Sequence, residues 1–221
     1  MARPKVGVLL AGCGVFDGAE IHEAVITLLA LDRAGAEAIC MAPNVSQLHV
    51  VNHLTGEVTG ETRNVLIEAA RIARGTIRDL ATVAPTELDA LIITGGFGAA
   101  KNLCDFALKG ALCSVHPEVA RVVRGVHAAG KPVGAECIAP AILARLLGGD
   151  GPRLTIGNDP GAATALEAMG ARHENCPANE IVFDREHRLV STPAYMLAGG
   201  IAEAAAGIEK LVAKVLALVP R

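Results

Sequence analysis

The sequence predicts an α/β protein, a mainly parallel sheet with helices on both faces and a nucleophile exposed at one strand end. Three observations carry this. Short continuous apolar runs bounded by turn residues recur along the chain, as strands buried on both faces require. Helix-length segments alternate with them, the pattern of strand–helix–strand units whose ligands bind beyond the carboxyl ends of the strands. The run ending at Glu136 passes through Cys137 directly into an apolar helical segment, the order of a nucleophile elbow.

Lys5 to Ala11 (KVGVLLA) reads as the first strand, stopped by a Gly-rich turn, and Glu20 to Ala34 as the first helix. Ala36 to Ala42 is the second strand. Pro43 to Gly60 alternates too irregularly for a core strand and reads as an inserted hairpin or lid, before a helix over Glu61 to Ala73. Asp89 to Thr94 and Pro132 to Glu136 are further buried strands, with helices over Pro117 to Ala129 and Ile138 to Leu147. Glu180 to Asp184 and Arg188 to Ser191 flank a polar turn as a hairpin, and Pro193 starts a long last helix, where its missing N–H costs little. With no repeat, linker or low-complexity tract, a single domain over residues 1–221 is the simplest organisation.

Composition narrows the function. The 20 Lys plus Arg against 23 Asp plus Glu give a net charge of -3, and one Tyr with four Phe leaves few stacking platforms, so nucleic acid is not an expected partner. No apolar run has the length of a spanning helix and the first residues lack a signal-peptide core, which predicts a soluble, cytoplasmic protein without a membrane partner. Six dispersed cysteines without a Cys-x-x-Cys pair read as reduced thiols.

Among them Cys137 stands out. The elbow needs small residues two before and two after the nucleophile, and Ala135 and Ala139 supply them. A thiol there meets a helix N-terminus, which favours thiolate and lowers its pKa. Gly95 and Gly96 end an apolar strand, let backbone approach a ligand closely and, with the N–H of Ile138, offer donors to an oxyanion formed when Cys137 attacks a carbonyl. Gly12-Cys13-Gly14 invites a dinucleotide reading, but its spacing departs from G-x-G-x-x-G and no ribose-binding acid ends the second strand. Cys13 nevertheless lies near the expected site; Cys40, Cys104, Cys113 and Cys176 read as packing residues.

Asp17 followed by Glu20 resembles a capping arrangement, and Glu23 falls on the polar side of a helix begun at Asp17, where the plain reading is a solvated acid. Glu136 puts a second acid beside the elbow, which strand alternation turns away from the thiol. His49 with His53, and His173 with Cys176, lack the further ligands of a tetrahedral site, so no metal is expected.

Residues 12 to 23 (GCGVFDGAEIHE), 52 to 57 (NHLTGE), 62 to 72 (TRNVLIEAARI), 95 to 103 (GGFGAAKNL), 137 to 141 (CIAPA) and 192 to 198 (TPAYMLA) together resemble the ElbB family. These are bacterial isoprenoid-biosynthesis-associated glyoxalases with ES-one-like eukaryotic relatives, in the ThiJ/PfpI superfamily and similar to class I glutamine amidotransferases. The resemblance implies a flavodoxin-like three-layer sandwich, a homodimer, and a cofactor-independent lyase activity on a small dicarbonyl, glyoxal to glycolate, with deglycase activity as its broader form. It also implies roles: Cys137 as nucleophile, Glu23 as the acid touching its sulfur, and Gly95, Gly96 and Ile138 near the oxyanion. Ile138 stands where many superfamily members carry the histidine partner of the cysteine, against a peptidase or a full amidotransferase. A redox-sensing or partner-binding module using Cys137 and an amidotransferase-like subunit are the alternative readings.

Overall fold

The residues described by the computed structural model are 3–220. Strand β1 (Lys5–Leu9) leads into α1 (Ile21–Arg33), β2 (Glu37–Ala42) and α2 (Val65–Ile72). Short β3 (Arg78–Asp79) and β4 (Ala90–Ile93) precede a π-helical turn at Ala99–Leu103, α3 (Phe106–Lys109) and α4 (Pro117–Ala128). Strand β5 (Val133–Glu136) feeds α5 (Pro140–Leu147). Then come β6 (Arg153–Leu154), α6 (Pro160–Ala168), β7 (Arg172–His173), β8 (Val182–Asp184), β9 (Leu189–Thr192) and α7 (Ile201–Leu218).

The main sheet has the order β3-β2-β1-β4-β5-β9-β8, parallel throughout except for the antiparallel β8–β9 pair. Beside it, β6 and β7 form a parallel pair. This is the flavodoxin-like α/β arrangement. The chain moves from β1 outward to β2 and then returns to the other side of β1 with β4. The crevice at this switch of direction lies beyond the carboxyl ends of β1 and β4, where ligands bind in such sheets.

Strand alternation sorts the side chains into two cores. Leu91, Ile93, Val133 and Ala135 face a layer containing α4 and α5. Val6, Val8, Ile92 and Val190 face α1, α2 and α7. Gly134 lies on this second side, where a Cβ would press on Leu211 and Val215 of α7. Val, Ile, Leu and Ala on both faces give the continuous apolar runs legible in the sequence.

Several boundaries shift for local reasons. The helix expected from Glu61 begins at Val65, because Asn64 caps the Ile67 N–H and the preceding residues pair with the insert through Gln47 N–H to Arg63 O. The insert forms a hairpin-like excursion with a Val51–Val58 bridge closed over Asn52 to Glu57. Asp17 does not cap α1; its Oδ2 accepts the Val51 N–H at 2.7 Å and ties the insert down, while Glu20 caps the helix by accepting the Glu23 N–H at 2.7 Å.

Pro193 does not start the last helix. Ala194 takes φ 44°, which a right-handed helix cannot accommodate, and Ala194–Met196 form one 3-10 turn. Helix α7 begins only after Gly199-Gly200. The β3 strand, α6 and the β6–β7 pair are elements the sequence reading does not contain.

Helix α7 lies close over the β9 end because Gly207 has no side chain: a Cβ there would overlap the Ala178 carbonyl oxygen and lie 2.6 Å from Thr192 Oγ1. Backbone cannot yield as a flexible side chain does. Gly207→Ala should therefore destabilise the protein by about 1–3 kcal/mol, despite the better helix propensity of alanine, in a denaturant titration.

Candidate active site

Strand β5 ends at Glu136 and the chain reverses through Cys137, whose φ is 57°. A non-glycine residue held there costs of order 1–3 kcal/mol and persists only where surrounding contacts over-determine it. The Cys137 N–H donates to Thr192 O at 3.0 Å and the Ala139 N–H to Glu136 O at 2.9 Å, so the elbow is fixed on both sides. Pro140 opens α5 directly after it. The thiol projects to the α1 side of the sheet and is nearly covered, 8% of Cys137 being exposed.

Glu23 meets it there. Its side chain is completely buried, against the solvated acid that the helical wheel predicts. The wheel misleads because α1 starts at Ile21 and is amphipathic in the reverse sense near its start: Ile21, Val25 and Leu29 are exposed, while Glu23 and Thr27 are buried. Glu23 Oε2 accepts the Gly95 N–H at 3.1 Å, Oε1 accepts the Tyr195 N–H at 3.1 Å, and the carboxyl lies beside the Cys137 thiol, both packed against Gly95. The Ala194 turn is what aims the Tyr195 N–H inward. Gly95 must be glycine for the same closeness, since a Cβ would overlap both the Cys137 Cβ and Glu23 Oε2.

The three backbone positions expected to serve an oxyanion divide. Gly95 donates to the carboxyl of Glu23. The N–H groups of Gly96 and Ile138 face the sulfur and favour its anionic form. Gly96 reaches this position with φ 92°, against the backbone of Gly18 and Glu20. Loops after β1, β4 and β5 are thus interlocked at the switch crevice.

Electrostatics differ from the helix-terminus expectation of a lowered thiol pKa. Burial, then the charge of Glu23, push the Cys137 thiol well above its ordinary value, and the Gly96 and Ile138 N–H groups oppose this only in part. Burial also pushes Glu23 up to about 8, with Glu20 adding to it and the N–H groups and the neighbouring thiol opposing it. The resting pair is therefore a protonated carboxyl against a thiol.

Glu136 is equally buried, and it shares the α1 side with the thiol, because the left-handed turn at Cys137 breaks the alternation that would have separated them. Thr27 Oγ1 donates to its Oε1 at 2.7 Å, and among the described residues Oε2 has no partner. Burial and the charge of Glu23 hold this carboxyl well above the usual range.

Other singled-out residues lie apart. Cys13 is half-buried, its thiol pushed up by burial and then by the charge of Glu68 on α2. Cys40, Cys104, Cys113 and Cys176 are buried free thiols. His53 accepts the Phe16 N–H at Nε2, and His173 accepts the Ile156 N–H, so both act as local braces. Among the described residues, no group of three or more His, Cys, Asp or Glu side chains is arranged to hold a metal ion. Tyr195, which the wheel and spacing arguments passed over, contributes its N–H to Glu23 and its hydroxyl to a 2.8 Å contact with His22 Nδ1. The one sequence signal was its place as the chain's single tyrosine directly after a Pro-Ala turn.

The Glu23 shift predicts a stability profile. Between the ordinary carboxyl pKa of 4.5 and about 8, the unfolded chain has lost the Glu23 proton while the folded protein keeps it. Stability contributed by the protonated form is thus complete below the lower value and is lost across that window, at up to about 1.4 kcal/mol per pH unit. Wild type should lose more stability than Glu23→Gln between pH 5 and 8 in parallel denaturant titrations; equal losses would contradict the shift.

No family model matches the chain. The human mitochondrial glutamine amidotransferase-like class 1 domain-containing protein 3 is 45% identical over 97% of this chain and 83% of its own length. The rat mitochondrial ES1 protein homolog is 44% identical over 98% of this chain and 84% of its own. The crystal structure of an isoprenoid biosynthesis protein with an amidotransferase-like domain from Ehrlichia chaffeensis superposes with a TM-score of 0.89 at 38% identity, covering 96% of this chain and 99% of that one. A glyoxalase III from Candida albicans shares the fold at a TM-score of 0.65 and 16% identity, covering 98% of each chain. No helix among the described residues is long and apolar enough to cross a membrane. By its similarity along nearly all of its length, the chain belongs to the ES1 family of class 1 glutamine amidotransferase-like proteins, on the DJ-1/ThiJ/PfpI fold.

Proposed function

We propose that the protein is a cofactor-independent glyoxalase that converts a small dicarbonyl, glyoxal, to glycolate at Cys137. The observation that carries the reading is the buried thiol–carboxyl pair of Cys137 and Glu23, with the Gly96 and Ile138 N–H groups on the sulfur. The fold shared with a glyoxalase III is compatible with this reading.

The thiol adds to one aldehyde carbon. A carbon–sulfur bond forms, and the thiol proton passes by way of Glu23 to the carbonyl oxygen, giving a hemithioacetal. The developing oxyanion lies one bond from the carbon on sulfur, within the field of the same Gly96 and Ile138 donors. Glu23 then gives its proton to the neighbouring carbonyl oxygen as it takes the hydrogen of the sulfur-bearing carbon as a proton, which forms an enediol; it passes that proton to the neighbouring carbon and takes back the hydroxyl proton of the sulfur-bearing carbon, leaving a hydroxyacetyl thioester and a protonated carboxyl. Water cleaves the thioester to glycolate and the free thiol. One carbon is oxidised as the other is reduced, so no external oxidant enters. A carboxyl titrating at about 8 suits both directions of proton transfer near neutral pH.

Metal-free, thiol-reduced protein should form glycolate from glyoxal. Cys137→Ala should bring the rate to background, and turnover surviving in that variant would overturn the reading. Glu23→Gln should cost about 10²–10⁴-fold in kcat with the fold retained by circular dichroism.

A further inference from the structure

A carboxyl buried without a cation is costly, and an apolar residue at position 136 would complete the surrounding core at no such cost. Glu136 is nevertheless fully buried, and among the described residues its side chain makes one hydrogen bond, to Thr27. Among the described residues it takes part in no ion pair; Glu20 and Glu23 on α1 and Cys137 on the elbow are the ionisable groups around it. Burial thus favours its neutral form, with Oε1 accepting from the Thr27 hydroxyl and Oε2 without a hydrogen-bond partner among the described residues.

The placement of this bond is specific. Thr27 follows Glu23 by four residues, one helical turn along the same buried face of α1. Glu136 directly precedes Cys137. Two consecutive residues of the elbow thus meet two residues one turn apart on one helix: Cys137 lies against Glu23, and Glu136 accepts the Thr27 hydroxyl. We propose that Glu136 and Thr27 are positioning residues for the reacting pair, a buried clamp that fixes α1 against the elbow and so sets how closely Glu23 engages the Cys137 sulfur. The inference rests on the reading of Cys137 and Glu23 as the reacting pair, and it names the device that holds them in register.

The clamp separates from a merely structural hydrogen bond by direction of effect. Glu136→Leu removes a desolvated carboxyl but leaves the buried Thr27 hydroxyl without that acceptor, so the two effects oppose and the melting temperature should change little. Loosening α1 should also draw Glu23 away from the sulfur, removing a charge that holds the thiol up. The pH at which Cys137 becomes reactive should therefore fall toward that of Glu23→Gln.

The experiment measures iodoacetamide alkylation of Cys137 against pH, followed by intact mass, a readout independent of any substrate. Glu136→Leu and Thr27→Val should each move the inflection to lower pH, whereas Thr27→Ser, which keeps the hydroxyl, should retain the wild-type value. Neither clamp variant should move the inflection further in a Glu23→Gln background. In the glyoxal assay the two clamp variants should lose kcat by on the order of tenfold, the scale of a sub-ångström misplacement of a catalytic group. Unchanged alkylation profiles in folded Glu136→Leu and Thr27→Val would overturn the clamp, as would shifts of equal size with and without Glu23. Shifted profiles in a wild-type protein that makes no glycolate would retain the clamp and overturn the glyoxalase reading instead.

Discussion

The structure turns on one buried carboxyl. Removing Glu23 from water is tolerable only because its two oxygens and the adjoining thiol find partners from separate parts of the chain: Gly95 after β4, Tyr195 after β9 and Cys137 after β5. Each partner requires an unusual local backbone. Gly95 gives up its side chain, Ala194 takes φ 44° and Cys137 takes φ 57°. Non-glycine residues in that region cost of order 1–3 kcal/mol each, and the contacts around them must over-determine the geometry. The sheet supplies this rigidity, since parallel strands place the three loops side by side and their Val, Ile and Leu side chains lock them from both faces.

This explains which features were legible in the sequence. Buried parallel strands write themselves as apolar runs, and a strand meeting a helix through Cys137 between small residues is a local pattern, so the architecture and the elbow could be read directly. Glu23 could not be obtained from periodicity. Its helix buries a glutamate and a threonine while exposing Ile21, Val25 and Leu29, and the reason lies in tertiary contacts that no window of sequence contains. Family resemblance, not spacing, identified that residue.

The remaining misses have the same origin. Pro193 is a good helix opener in isolation, but the demand that Tyr195 N–H reach Glu23 bends the next residue out of helical geometry. Asp17 has a capping spacing to Glu20 and instead serves the insert, where the Val51 N–H competes for its carboxylate. Short β3, β6 and β7 have two residues each, too few to show a period at all.

The charge of the site constrains the chemistry it suits. Among the described residues, no lysine, arginine or histidine is ion-paired with Glu23 or Glu136, so burial favours the protonated forms of both carboxyls and of the thiol over the anions. The usual route to a reactive cysteine, a thiolate stabilised by a neighbouring imidazolium, is absent from this arrangement, and Ile138 follows the nucleophile. A neutral thiol beside a carboxyl of pKa about 8 gains nucleophilicity only as its proton is transferred. That favours a small, uncharged and strongly electrophilic carbon, which needs little activation, over an amide or an anionic substrate, whose charge would oppose Glu23 as it ionised. A dicarbonyl has both properties, and the same carboxyl can then carry its hydrogen from one carbon to the next.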